Sequence, residues 1–209
     1  MNSSQTADRF RWAREIQALA QTGLFYAEND YQRARYHRFI ELAAEIFAGP
    51  TIEEAAEALR LYQSPRGYAT PRVDVRAAVF QAGKLLLVRE RADGGWTLPG
   101  GWADVGDTPS TAVEREVWEE AGFRVRAQRV AGVYDANRTG ELLLFHAYKL
   151  VFLCEILSGE ARPSLETSEV CFFDRHELPY RLSGERTDRR HLEHAFIIQA
   201  DPSLPAFFD

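Results

Sequence analysis

The sequence has few of the residues that mark several common protein classes. Two cysteines occur in 209 residues, and neither Cys154 nor Cys171 has the spacing of a disulfide framework or a metal site. Both lie in apolar runs, which predicts buried, reduced thiols. No apolar stretch reaches the ~18 residues of a membrane span, and no apolar secretion signal follows the first methionine. We therefore expect a cytoplasmic protein without membrane association.

Basic residues are also scarcer than acidic ones. Lys and Arg total 25 against 31 Asp and Glu, which gives a formal net charge of −6. A protein that binds the nucleic-acid backbone irrespective of sequence is normally basic. The balance therefore argues against general nucleic-acid binding, and it leaves a short RNA open as a secondary substrate. The 45% hydrophobic and 27% charged residues are typical of a globular protein and exclude a disordered chain.

The first part of the chain has a helical hydrophobic pattern. Within residues 1–62 apolar side chains recur at helical spacing, as at Phe39, Ile40 and Ala43, which predicts a small all-α N-terminal domain. Residues 63–72 contain two prolines and a glycine and are predicted to form a linker. Because three short helices bury only a small core, we expect this domain to pack against a second copy in a homodimer.

Beyond the linker the hydrophobic period changes. Valines alternate with Asp74 and Arg76, as in a strand that has one solvated face. Helical patterns at about 109–121 and 188–199 interrupt further strand-like runs. Strands separated by helices predict a mixed α/β domain over residues 73–209.

A glycine-rich loop followed by an acidic helix carries the chemistry. Residues 108–109 (Thr-Pro) suit the start of a helix, and Gly122 suits its end. Glu116 and Glu120 are four residues apart and share a face, with Glu119 beside them. The helix dipole disfavours carboxylates near the C-terminal end, and hard oxygens grouped in this way suit Mg²⁺ or Mn²⁺ together with substrate phosphates. A solvated acidic helix face is the alternative.

The same segment resembles the signature box of the Nudix hydrolases. In that box a glycine and a glutamate precede Arg-Glu-apolar-x-Glu-Glu-x-Gly-apolar at fixed spacings. The residues of this sequence that stand at those spacings are Gly101, Arg115, Glu116, Val117, Glu119, Glu120, Gly122 and Phe123. Asp107 replaces the first glutamate, which puts the loop-to-helix contact of that glutamate in question.

Three further stretches, 67–76, 96–106 and 168–173, resemble the CDP-choline pyrophosphatase branch of that family, whose members carry a helical domain ahead of the Nudix domain. The resemblance implies a Nudix α/β/α sandwich with a mixed sheet, preceded by the small all-α domain. It also implies hydrolysis of the diphosphate linkage in a nucleoside diphosphate joined to another moiety, as in CDP-choline. The alternatives are an ADP-ribose or nucleotide-sugar pyrophosphatase and a non-catalytic regulator that binds a nucleotide.

The resemblance also implies roles for individual residues of the acidic helix. Glu116, Glu119 and Glu120 are expected to hold Mg²⁺ (or Mn²⁺), and the last two are counted as catalytic. Arg115, which is four residues before Glu119, is expected to orient these carboxylates. Glu166 precedes a predicted strand, in a region where relatives often place a general base, and is the preferred candidate for that role.

Another group of residues is expected to contact the substrate. The arginines of this group can pair with phosphate oxygens, and its glycines let backbone approach a phosphate. Its aspartates lie in the glycine loop and after a strand, where metal or substrate contacts are common. Ordinary surface arginines and polar turns are the alternatives. The group consists of Arg76, Arg89, Gly100, Gly101, Asp104 and Asp135.

Overall fold

The computed structural model describes residues 3–48, 52–64, 67–138, 145–184 and 186–209, with backbone alone for 3–7 and 52–53. Contacts divide the chain into two units, Met1–Pro71 with Leu144–His146, and Arg72–Leu143 with Ala147–Asp209. Within the described ranges no helix is long and apolar enough to cross a membrane. The predicted linker, 63–72, lies partly outside the described residues.

The first unit is built from three helices, α1 (Ser3–Phe25), α2 (Asp30–Ala48) and α3 (Ile52–Gln63). Their core is rich in alanine, which lets the helix axes approach closely. Tyr62 fills the remaining space and meets the Phe47 ring edge-on at 5.8 Å between centroids. The buried residues of this core are Ala20, Ile40, Ala43, Ala44, Ala58 and Tyr62.

The second unit contains one mixed sheet. Its strands are β1 (Arg72–Gln81), β2 (Lys84–Glu90), β3 (Trp96–Thr97), β4 (Gly100–Trp102), β5 (Phe123–Asp135), β6 (Ala147–Gly159), β7 (Thr167–Phe173) and β8 (Phe207–Phe208). The strand order is β3-β2-β1-β6-β5-β8, with β4 paired to β1 and β7 to β2. The β1–β6 and β5–β8 pairs are parallel, whereas the other strand pairs are antiparallel.

Helices cover the sheet on both faces. On one face α4 (Pro109–Ala121) packs Val113 and Val117 against the odd-numbered residues of β1, such as Val75. On the other face α5 (Arg189–Ala200) packs Leu192 and its neighbours against Ala78. A short 3₁₀ helix, Arg175–Glu177, precedes α5. The predicted architecture, an α/β/α sandwich with a mixed sheet after an all-α region, is confirmed.

The cysteine prediction is correct for one residue of two. Cys154 is buried in the core beneath α4, and burial raises the pKa of its thiol to about 12. Cys171, on β7, is only partly buried, so the expectation that both thiols are buried is wrong. The described residues contain both cysteines as free thiols.

Candidate active site

Helix α4 is fixed at both ends by the residues that the sequence singles out. Thr108 and Thr111 cap it reciprocally: each side-chain oxygen accepts a hydrogen bond from the other's backbone N–H, at 3.2 and 2.9 Å. Gly122 ends it in a left-handed conformation with φ of 79°. The caps set where the helix starts and stops, and therefore which residues face the loop before it.

Two glycines allow the loop to approach that helix. A Cβ on Gly101 would lie 2.9 Å from the Glu116 carboxylate, and a Cβ on Gly100 would lie 2.0 Å from the Val75 carbonyl oxygen. Gly100 also has a φ of 146°, which side-chain-bearing residues rarely adopt. Its N–H donates to Glu120 Oε2 at 2.9 Å. The glycines therefore seat β4 against the acidic helix, and their predicted contact with substrate stays a prediction.

Glu120 is the most deeply placed of the three helix carboxylates. It is 3% exposed, and this burial raises its pKa to about 7. The Arg76 guanidinium and the Gly100 N–H act in the opposite direction, while Glu90 and Glu116 add to the rise. A carboxylate held in this way at the base of a cleft favours binding of either a proton or a cation.

Arg115 connects four carboxylates of the loop and the helix. It donates to Asp107 Oδ2 at 3.0 Å, to Glu116 Oε1 at 2.7 Å and to Glu119 Oε2 at 3.3 Å, and it lies 3.5 Å from Asp104. The ion pair expected with Glu119 is therefore present. Asp107, although shorter than the glutamate it replaces, still ties the loop to the helix through this arginine. These carboxylates raise the pKa of Arg115 further.

These side chains surround a cleft of about 390 Å³. The predicted site residues that line it are Arg76, Gly100, Gly101, Asp104, Arg115, Glu116, Glu119, Glu120 and Glu166. Residues that the sequence did not single out, Asp74, Trp102 and Arg186, line it as well. One cleft thus collects most of the candidates, although they come from separate parts of the chain.

Two predicted substrate contacts lie elsewhere. Arg89 donates to Glu169 at 2.6 Å and to the Gly94 carbonyl at 3.0 Å, and it does not line the cleft. The backbone N–H of Asp135 donates to the Asp209 carboxylate at 2.8 Å, and Asp135 is also absent from the lining. A contact of either residue with substrate stays a prediction.

The polar side of β1 is buried, which corrects the expectation of a solvated face. Asp74 and Arg76 are 4% and 2% exposed. Arg76 donates from Nε and Nη2 to the two oxygens of Asp74, at 2.7 and 3.0 Å. Lys149, from the neighbouring strand β6, places Nζ 3.6 Å from Asp74, and burial lowers its pKa to about 8. The β1–β6 pairing brings these charges together, and periodicity alone could not reveal them.

The donor chemistry of the helix suits a divalent cation. Within the described ranges, no three acidic, imidazole or thiolate groups converge closely enough to hold an ion as they stand. Glu116 and Glu119 instead share the Arg115 guanidinium, whereas among the described residues no cation makes an ion pair with Glu120. Hard carboxylate oxygens on one face, one of them buried, are the donors that Mg²⁺ and Mn²⁺ prefer.

The chain is similar to known proteins over both units. A family model described as the NUDIX domain matches residues 70–195, and one described as a UDP-X-like, N-terminal oligomerisation domain matches residues 8–62. The Bacillus subtilis protein YjhB, provisionally named an ADP-ribose pyrophosphatase, is 34% identical over 94% of this chain and 95% of its own.

Two solved structures have similar folds. A UDP-X diphosphatase is 30% identical with a TM-score of 0.62, and the match covers 98% of this chain and 99% of that one. An ADP-ribose pyrophosphatase from Streptococcus suis is 38% identical with a TM-score of 0.61. That match covers 67% of this chain and all of the other.

Proposed function

This chain belongs to the Nudix hydrolase family, and from that premise we propose that it hydrolyses the diphosphate linkage of a nucleoside diphosphate joined to a second moiety. The products are a nucleoside monophosphate and a phosphorylated second product. The observation that carries the proposal is the capped helix that places Glu116, Glu119 and Glu120 along one cleft, with Glu120 buried at its base.

The helix carboxylates are the proposed holders of Mg²⁺ or Mn²⁺. Such an ion, when bound, offsets negative charge on the diphosphate and acts as a Lewis acid. Gly100 fixes Glu120 through its N–H, and Arg115 fixes Glu116 and Glu119, so the three oxygen donors are oriented before substrate binds. The arrangement supports a cation-dependent reaction at this face of α4.

Glu166 is the proposed general base. It lines the same cleft from the loop before β7, whereas Glu169, the alternative in that region, is paired with Arg89 outside the lining. In this role the Glu166 carboxylate takes a proton from the attacking water. The water oxygen bonds to phosphorus, and the bond between that phosphorus and the bridging oxygen breaks.

ADP-ribose, a UDP-sugar and CDP-choline are the candidate substrates. ADP-ribose corresponds to the name of a relative, a UDP-sugar is our choice of a compound of the UDP-X type that names the similar diphosphatase, and CDP-choline corresponds to the branch that the loop sequence resembles. The test is product analysis with each compound, a nucleoside triphosphate and a short RNA, under Mg²⁺ and under Mn²⁺. We expect nucleoside monophosphate from at least one linked diphosphate. Efficient cleavage of the triphosphate with every linked diphosphate inert would overturn the proposal.

We also propose a homodimer formed through the helical unit. Trp12 and Leu19 lie seven residues apart on α1, and they are 53% and 67% exposed. An apolar stripe of this kind on a small helical unit is expected to be covered by a partner. The matched N-terminal family, which is described as an oligomerisation domain, supports the same assembly. Light scattering after size exclusion tests it, and a species of 23.8 kDa at micromolar concentration would contradict it.

A further inference from the structure

An arginine outside the family's sequence box lines the catalytic cleft. Arg186 lies in the turn that precedes α5, more than sixty residues after Phe123 ends the box. Its side chain is 34% exposed. No repeat, glycine pattern or spacing in the sequence distinguishes it from other arginines, so only the fold brings it to Glu116 and Glu120.

The three arginines that line the cleft differ in how their charges are neutralised. Arg76 is buried and makes two short hydrogen bonds to one carboxylate. Arg115 lies within 3.5 Å of four carboxylates. Arg186, within the described part of the chain, makes one ion pair, in which Nη1 lies 3.5 Å from Glu90 Oε1. That distance is too long for a strong hydrogen bond, so its guanidinium keeps donors for a ligand.

Glu90 supplies a negative charge behind this arginine. It is 2% exposed, and its Oε1 accepts no hydrogen bond from the described residues. Burial raises the pKa of this carboxyl, and Arg186 and Arg76 act against the rise. The loose pair holds Arg186 by charge and leaves its hydrogen-bonding fork unsaturated.

The backbone around Arg186 is anchored. The ammonium of Lys149 donates to the Arg186 carbonyl oxygen, and the Arg186 N–H donates to the Ser183 carbonyl at 3.0 Å. The next residue, Thr187, is 1% exposed and places its hydroxyl 2.8 Å from that of Thr97. A turn fixed on both sides loses little backbone entropy when its side chain binds a ligand.

We propose that Arg186 donates hydrogen bonds to a non-bridging phosphate oxygen of the diphosphate substrate, with Glu90 positioning its guanidinium beforehand. The inference rests on the proposed function, because it assigns a binding role within the same site. Arginine suits this role since its planar fork matches phosphate geometry and its charge persists at all physiological pH values. Of the cleft arginines, Arg186 is the one that, within the described residues, need not break a short hydrogen bond to a carboxylate to make the contact.

Steady-state kinetics of Arg186→Gln and Arg186→Lys test the proposal, with whichever linked diphosphate the wild type cleaves best. We expect kcat/KM of Arg186→Gln to fall on the order of ten- to hundredfold, mainly through KM, as for loss of a charge-assisted hydrogen bond. Arg186→Lys should recover part of the loss because it keeps the charge without the fork. Arg175→Gln is the control, since Arg175 pairs with Glu193 on the surface and should keep wild-type kinetics.

Arg186→Gln leaves Glu90 without its closest cation, so the variant could lose stability. Arg186→Gln combined with Glu90→Gln removes that unpaired charge and should keep the raised KM with a wild-type urea midpoint. A purely structural ion pair predicts the opposite, with KM returning to the wild-type value in the double variant. Wild-type KM in a folded Arg186→Gln protein would also overturn the inference.

Affinity for inorganic pyrophosphate, measured by calorimetry with Mg²⁺ present, provides a readout that does not depend on turnover. It should fall on the order of tenfold or more in Arg186→Gln and remain unchanged in Arg175→Gln. A wild type that cleaves no linked diphosphate overturns the proposed function, whereas equal pyrophosphate affinity in wild type and Arg186→Gln overturns the role of Arg186.

Discussion

The two sides of the active-site cleft hold their charges in opposite ways. On the β1 side, Asp74, Arg76 and Lys149 are at most 4% exposed and are fixed by strand pairing. On the α4 side, the side chains of Arg115 and Glu119 are 32% and 55% exposed and meet along one helix. Buried charges depend on their partners for stability, whereas exposed pairs contribute little to it. The exposed pair on the α4 side therefore contributes little to stability, which is compatible with the proposed substrate and cation binding there.

Glu120 joins the two sides, so its substitution has the largest expected effect. Glu120→Gln keeps the shape and removes the charge of one proposed cation donor. We expect kcat to fall on the order of a hundredfold or more at saturating Mg²⁺, with an unchanged circular dichroism spectrum. Near wild-type turnover would remove Glu120 from the catalytic residues and leave Glu116 and Glu119 as the proposed cation donors.

The stability of Glu120→Gln should also depend on pH differently from that of the wild type. The folded pKa of Glu120, about 7, lies above its usual 4.5, so the folded state binds more protons between these values. In protein kept in EDTA, this group therefore favours folding below about pH 4.5, and its contribution is lost as the pH rises through 7. Above pH 7 we expect the free energy of unfolding of Glu120→Gln, measured with urea, to exceed that of wild type by about 3 kcal/mol. At pH 4 the two free energies should be equal.

Glu119→Gln serves as the matched control for that measurement. Its carboxylate is 55% exposed and lies one residue away on the same helix. The variant should keep the wild-type dependence of stability on pH. If Glu119→Gln gained as much stability above pH 7 as Glu120→Gln, repulsion among the carboxylates of α4, and not the burial of Glu120, would cause the effect.

Lys149 tests the β1 side, although it also donates to the Arg186 carbonyl oxygen. Lys149→Met removes a cation beside Asp74, which keeps its pair with Arg76. We expect a loss of about 2 kcal/mol in the free energy of unfolding by urea, less than for a buried charge left with no partner. Lys84→Met, at the exposed start of β2, should leave stability within about 0.5 kcal/mol of wild type. Equal urea midpoints for Lys149→Met and Lys84→Met would show that the buried charges of the β1 side do not contribute more to stability than an exposed charge.

The smallest expected change is the effect of Glu119→Gln on turnover. Its charge is partly screened by solvent and already paired with Arg115. We expect kcat to fall about tenfold, less than in Glu120→Gln, with no loss of stability. If kcat fell as much as in Glu120→Gln, the burial of a carboxylate would not determine how much it contributes to turnover.

The sequence predicts the α4 side of the site far better than the β1 side. Thr108, Gly122 and the glutamates between them are related by helical spacing, so local rules suffice to place them on one face. Lys149 and Asp74 come together only because β1 and β6 pair in parallel with those residues in register. Asp74 and Arg76 alternate with apolar residues as solvated residues do. The alternation is the same whether charged residues are buried as an ion pair or exposed to solvent, so the sequence alone cannot distinguish the two.

The fold follows the same division. Helix α4 has the bounds that its capping residues predict. The sheet order places β6 beside β1 although sixty-five residues of chain separate their ends, and no local signal in the chain encodes that neighbour. Arg186 reaches the cleft through this long-range arrangement, which is why no motif marks it.

The hydrogen bonds of Arg115 would make the proposed cation uptake an exchange reaction. Its guanidinium already satisfies oxygens of Glu116 and Glu119, so an arriving ion competes with a resident positive group for the same lone pairs. The affinity for the ion would then be the difference between the interaction of the carboxylates with the ion and their interaction with Arg115. Monovalent ions would gain little from this exchange. A small divalent ion, which carries twice the charge, would gain more from the exchange, so Arg115 would favour divalent over monovalent ions at the proposed site.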